Sequence, residues 1–98
     1  MKFRLTVKKK IGTAVGAEFT EAEPVSTLGV DGTFEADNIG FARRDCNTYI
    51  REWVEGMGMK LRTQKDWVKN MKTKLMEKQV MAQSATGALT FVFILEQL

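Results

Sequence analysis

The chain has 98 residues, of which 44% are hydrophobic and 28% charged, and its formal net charge is +3. This length allows one domain with one core, and the composition is typical of a globular protein rather than a disordered, collagenous or disulfide-rich chain. With no histidine and one cysteine, the chain lacks the usual metal ligands and the commonest general acid–base residue. We therefore expect no enzyme, no metal and no cofactor.

The charge is unevenly distributed along the chain. Residues 1–10 carry +5, residues 11–58 carry −6, residues 59–78 carry +5 and residues 79–98 carry −1. The longest strongly apolar run, residues 88–95, is far shorter than the roughly 20 residues that a membrane-spanning helix needs. The N-terminal residues lack the continuous apolar segment of a signal peptide. We expect a cytoplasmic protein with no membrane contact.

The first predicted element is a strand over Lys2 to Lys8. Phe3, Leu5 and Val7 alternate with polar residues, which is the period of a strand with one buried face. Lysines commonly protect an edge strand against aggregation. We expect an edge strand here, with which a second copy of the chain could pair to form a homodimer.

Residues 12–26 show no regular period and are predicted to form a long surface loop, with a short strand near residues 17–20. Residues 27–36 predict a tight hairpin. Asp31 and Gly32 form a favoured two-residue turn, and Phe34 and Ala36 alternate with polar residues behind it.

Residues 38–57 have the clearest pattern in the chain. Apolar residues recur at helical spacing and form one stripe: Ala42, Cys46, Tyr49, Ile50, Trp53, Val54 and Met57. Asp37 or Asn38 can cap the start of this helix, and Gly56 or Gly58 can end it in a left-handed turn. Cys46 is expected to be a small buried hydrophobe rather than a reactive thiol.

A second helix is predicted from Thr63 to about Lys78. Thr63 can cap its first turn, where Asp66 complements the helix dipole. The apolar residues at helical spacing would face inward: Trp67, Val68, Met71 and Leu75. The lysines would form a stripe on another face: Lys65, Lys69 and Lys72. Residues 79–84 either prolong this helix or form a strand, and we favour a helix that ends near Lys78 with a hairpin behind it.

The last residues, 88–98, are rich in β-branched and aromatic side chains and predict a central strand covered at least partly on both faces. Together the elements predict a single α+β domain. Its mostly antiparallel sheet of three to five strands would carry two consecutive helices packed on one face.

The candidate binding residues are charged and form two sets. The basic set combines the N-terminal strand, the first helix and the second helix: Lys8, Lys9, Lys10, Arg43, Arg44, Arg62, Lys65, Lys69 and Lys72. The acidic set lies in the long loop: Glu18, Glu21 and Glu23. Neither set is accompanied by a nucleophile with a base or by a phosphate-binding loop. The sequence does not decide which set is the functional one.

Two functions fit this pattern. We favour protein–protein interaction, as an inhibitor, adaptor or assembly factor, because separated charges steer and orient docking. The alternative is nucleic-acid binding through the basic set, with lysines on phosphates. Against it, aromatic residues are not interleaved with the basic ones, which leaves no evident stacking platform. A small, charge-polarised chain of this kind would suit a phage or mobile-element accessory protein.

Overall fold

The strands that the structure describes belong to one antiparallel sheet. The computed structural model describes residues 1–10 and 18–98, so residues 12–17 of the predicted loop lie outside the described part. The described residues form one α-helix, α1 (Ile39–Gly56), and seven strands: β1 (Lys2–Lys9), β2 (Glu23–Pro24), β3 (Thr33–Glu35), β4 (Lys60–Gln64), β5 (Val68–Lys69), β6 (Met76–Ser84) and β7 (Gly87–Gln97).

The strand order places the longest strands in the centre of the sheet. The order is β2-β1-β7-β6-β4, with β3 also paired to β1 and β5 also paired to β6. The chain leaves β3 at one side of the sheet, passes through α1, and enters β4 at the other side. The helix therefore crosses one face of the sheet, and the structure is mostly sheet with one covered face.

The core lies between α1 and the three central strands. Alternate residues of β1 and β7 pair across the strands and are buried, as in the pairs of Leu5 with Leu95 and of Val7 with Phe93. The helix contributes four fully buried side chains: Ala42, Cys46, Ile50 and Val54. Each large apolar side chain removed from water contributes about 1.5–3 kcal/mol, so the burial of these residues stabilises the contact between the helix and the sheet.

Several predictions from the sequence are confirmed. The N-terminal strand, the long helix and the final central strand are all present, and residues 76–97 form the β6–β7 hairpin. Asn38 caps α1, since its Oδ1 accepts from the backbone N–H of Phe41 at 2.9 Å. Gly58 takes the left-handed conformation, with φ +76°, just beyond the helix. Cys46 is fully buried, as expected.

The predicted second helix, and with it the predicted fold, is wrong. Residues 60–84 form β4, β5 and β6 instead, and the sheet has seven strands rather than three to five. Asn70 starts a tight turn in this region: its Oδ1 accepts from the backbone N–H of Lys72 at 2.9 Å, and its backbone N–H donates to the carbonyl of Leu75 at 2.8 Å. Pairing of β6 with β7 over nine residue pairs outweighs the local helical spacing of a few apolar residues.

The predicted hairpin over residues 27–36 is also wrong. Residues 26–28 form a short 3₁₀ turn, Val30 is 98% exposed, and β3 pairs with β1 rather than with the preceding residues. The glycine in the predicted turn is nevertheless required. Gly32 has φ +70°, and an added Cβ would lie 2.6 Å from the carbonyl oxygen of Leu5.

β1 is not the predicted edge strand. It pairs with β7 on one side and with β2 and β3 on the other. Of the short strand predicted near residues 17–20, residue 17 lies outside the described part, and Phe19 forms an isolated bridge with Lys10. The homodimer predicted through β1 therefore has no free edge to use.

Lys74→Gly should stabilise the protein. Lys74 adopts φ +64° in the β5–β6 turn, a left-handed conformation that costs a side chain about 1–2 kcal/mol. Because glycine is more flexible in the unfolded chain, we expect a net gain of about 0.5–1 kcal/mol in the free energy of unfolding, measured by urea denaturation. Lys72→Gly in the same turn is the matched control and should destabilise, since Lys72 has no positive φ. Equal effects of the two substitutions would contradict the strain argument.

Candidate binding surface

The face of the sheet opposite α1 has no other element packed on it among the described residues. Residues directly opposite each other in antiparallel strands project from the same face. Val7 and Phe93 point toward α1 and are buried. The next pair, Lys8 with Val92, therefore projects from the other face, which we call the open face.

Four lysines border one half of the open face. Lys8, Val92 and Gln79 lie directly across from one another, and the backbone N–H of Lys65 reaches the carbonyl of Gln79 at 3.0 Å. Across three strand spacings, Lys8 and Lys65 are roughly 14 Å apart. Lys10 and Lys60 continue the two borders.

Neutral side chains fill the space between these lysines. We call the whole area the basic half-face: Lys8, Lys10, Lys60 and Lys65 at its borders, with Thr63, Gln79, Met81, Gln83, Ala88, Thr90 and Val92 between them. Met81 is 40% exposed near its centre. A groove of about 260 Å³ at the Lys65 border is lined by Asp66 and Glu77 together with Lys65, Gln79 and Val92. Two carboxylates therefore border four lysines, and the surface remains net positive.

The other half of the open face differs because its charges are matched. Lys2 lies opposite Glu35, and Arg4 lies opposite Glu96 with a 3.6 Å distance between Arg4 Nη1 and Glu96 Oε1. Glu77 adds a further carboxylate. Such exposed pairs contribute little stability, but they bring this half close to neutral, whereas the basic half-face is net positive.

One aromatic side chain lies beside the basic half-face. Phe19 forms a bridge with Lys10, and the Nζ of Lys8 lies 4.9 Å from the centroid of the Phe19 ring. Phe19 is 37% exposed. The sequence does not indicate this grouping, because Phe19 is separated from Lys8 by a segment with no hydrophobic period that would predict its pairing.

The structure brings together only three of the basic residues predicted from the sequence, which are Lys8, Lys10 and Lys65. Lys60, which the sequence analysis did not select, joins them. Lys9 pairs with Phe91 and thus projects from the face that carries α1. Arg62 lies at the irregularity in β4 between Leu61 and Thr63.

The remaining candidates lie elsewhere. Arg43 and Arg44 are on α1, across the sheet from the open face, where Arg44 lies over the ring of Phe41 at 4.5 Å. Lys69 is in β5 opposite Met76, and Lys72 is in the following turn. The predicted lysine stripe of Lys65, Lys69 and Lys72 is therefore wrong, because it required a helix. Glu18, Glu21 and Glu23 are exposed, with Glu23 in β2.

A groove of about 230 Å³ lies on the covered face near the end of α1. Trp53, Met57 and Phe91 supply its apolar wall, with Lys9 and Glu23 among the polar lining residues. Its volume is below the roughly 300–1,000 Å³ of typical ligand pockets. We do not assign it a ligand.

Lys78 is a buried cation on the covered face. It is 6% exposed, its Nζ donates to Asn47 Oδ1 at 2.9 Å, and it lies 5.9 Å from the centroid of the Trp67 ring. Burial lowers the pKa of Lys78, whereas the nearby Asp66 carboxylate opposes that shift.

Burial also raises the pKa of the Cys46 thiol to about 12, which keeps the thiol protonated and unreactive at neutral pH.

Comparisons with protein-family models, with curated proteins and with solved structures found no match to this chain. Nowhere in residues 1–10 and 18–98 is there a helix long and apolar enough to cross a membrane.

Replacing Lys78 should change how stability depends on pH. Because the folded pKa of Lys78 is lowered, the unfolded chain binds more protons between that pKa and the ordinary value near 10.5, and wild-type stability gains as pH rises through this window. The advantage of Lys78→Met over wild type should therefore shrink from pH 7 to pH 10.5 in urea denaturation. Lys69→Met, at an exposed lysine, controls for general lysine titration. A pH-independent difference would contradict the lowered pKa.

Proposed function

We propose that the chain is a non-catalytic binding protein that docks another protein on the basic half-face, as an inhibitor, adaptor or assembly factor in the cytoplasm. The observation that carries this proposal is the grouping of Lys8, Lys10, Lys60 and Lys65 around a neutral centre. Protein interfaces commonly combine a neutral or apolar centre with a charged rim. The basic half-face has this arrangement, with the exposed Met81 near its centre, whereas the neighbouring Val92 is largely buried.

The charge of the surface indicates the kind of protein partner. Four lysines outnumber the two bordering carboxylates, Asp66 and Glu77, and this net positive charge attracts an acidic surface, steers its approach and orients it. The matched charges of the other half, such as Arg4 with Glu96, would contribute less to attraction.

Reversing charge on the basic half-face should abolish partner capture. We expect wild type to retain a stoichiometric protein from a nuclease-treated lysate of its own organism, and Lys8→Glu/Lys65→Glu to lose it. Lys69→Glu/Lys72→Glu changes the net charge equally but lies off this surface, so it should retain the partner. Thermal unfolding of both variants checks that they are folded. Equal loss in both, or capture of nucleic acid alone, would contradict the proposal.

A second candidate function is nucleic-acid binding, which the position of Phe19 favours. A partly exposed aromatic ring flanked by Lys8 and Lys10 supplies a stacking surface beside phosphate-binding cations, the combination that single-strand binders use. A protein partner remains our first proposal, because the centre of the basic half-face carries aliphatic and amide side chains and Phe19 lies at its border.

Phe19→Ala tests this second candidate. If single-stranded DNA stacks on Phe19, the substitution should weaken binding of a labelled 20-nucleotide oligothymidine about 5- to 160-fold, since one stacked base contributes about 1–3 kcal/mol. Fluorescence anisotropy over a salt series measures the affinity. Phe41→Ala is the matched control, because Phe41 is 41% exposed and lies under Arg44 on α1. Equal affinity of wild type and Phe19→Ala would exclude stacking on Phe19.

A further inference from the structure

β4 is the outermost strand on one side of the sheet. It pairs with β6, and no strand pairs with its other side within residues 1–10 and 18–98. Four of its five residues are exposed, the exception being Leu61. β4 also borders the basic half-face, to which it contributes Lys60 and Thr63. A free strand edge thus lies next to the proposed docking surface.

The backbone of β4 has hydrogen-bonding groups available on this free side. The N–H of Lys65 donates to the carbonyl of Gln79 in β6 at 3.0 Å. In an antiparallel strand, successive residues direct their backbone groups to opposite sides. Gln64 therefore directs its N–H and C=O away from β6, where an added strand could pair with them.

The charge of this edge selects among possible added strands. Residues 60–66 carry three cations, Lys60, Arg62 and Lys65, and one carboxylate, Asp66, so the edge has a net charge of +2. A second copy pairing through β4 would bring these cations close to their own counterparts, which is unfavourable. Basic residues and an irregular strand are known protections against such self-pairing. An extended segment with acidic side chains would instead be attracted to these cations.

We infer that an extended acidic segment of the partner protein adds to β4 as the next strand of the sheet. Main-chain hydrogen bonds to Gln64 would supply affinity, and contacts of its carboxylates with Lys60 and Lys65 would supply specificity, as in other cases of strand addition. Alternate side chains of the added strand would lie on the open face, beside those lysines. This inference rests on the proposed function and assigns the chemistry of its partner.

The test uses the full chain and a labelled synthetic peptide of alternating glutamate and valine. We expect wild type to bind this peptide, and Gln64→Pro to bind it at least tenfold more weakly, because proline removes the outward N–H. Proline is tolerated where a strand's N–H faces outward, so the β4–β6 pairing should survive. Gln64→Ala keeps the N–H and should bind within about twofold of wild type. Equal binding by Gln64→Pro and wild type would overturn strand addition.

Two further peptides make the result independent of how well the proline variant folds. An otherwise identical peptide with N-methyl groups on alternate amides cannot form the ladder and should bind wild type at least tenfold more weakly. A lysine–valine peptide should also bind at least tenfold more weakly, because its charge matches that of the edge. If the N-methylated peptide binds as tightly as the unmodified one, charge attraction without strand pairing explains the binding. If the lysine–valine peptide binds as tightly, the edge does not prefer acidic segments and that part of the inference is overturned.

The proposed function and this inference fail in different ways. If Lys8→Glu/Lys65→Glu loses the lysate partner while Gln64→Pro keeps it, docking on the basic half-face holds and strand addition is overturned. If the chain captures only nucleic acid, the proposed function itself fails. Concentration-dependent dimers that Gln64→Pro abolishes, seen by analytical ultracentrifugation, would identify a second copy as the occupant of the edge and would also overturn the inference.

Discussion

The rest of the structure depends on the packing of the apolar stripe of α1 against one face of the sheet. Trp53 meets the rings of Phe91 and Phe93 edge to face, at 5.0 Å and 5.6 Å between ring centroids, a geometry favoured between aromatic rings. Fully buried Ile50 and Val54 extend the same contact along the helix. With only one α-helix in the described residues, this packing covers one face and leaves the other without a helical layer.

The open face and the free edge follow from the same topology. The connection through α1 runs from β3, which pairs with β1, to β4 at the opposite side of the sheet. β4 is therefore the outermost strand there and pairs with a neighbour on one side only. The charges at these two places have a common sign, with Lys60 and Lys65 shared by the basic half-face and the edge. A partner bound there could contact both at once, which would join main-chain pairing to charge recognition.

Prediction from the local spacing of apolar residues failed where pairing between residues distant in the sequence determines the structure. Trp67, Val68, Met71 and Leu75 have the spacing of a helix face, yet Val68 pairs with Glu77 in a sheet and residues after it form a turn. The hydrophobic period of such a short segment cannot report the strand that lies beside it. For the same reason the sequence does not predict the contact between Phe19 and Lys8, which depends on the pairing of Phe19 with the end of β1.

The sequence by itself determined the elements whose period is long and regular: the strand around Leu5, the helix around Ile50 with its cap at Asn38, and the final strand around Phe93. It also determined that these elements must share one core, since their apolar faces have to be buried together. Tertiary structure alone decided which lysines lie together. A charged side chain has no burial pattern that records its neighbours, so the grouping of Lys8 with Lys65 exists only through the register of β1, β7 and β6 and the pairing of Lys65 with β6.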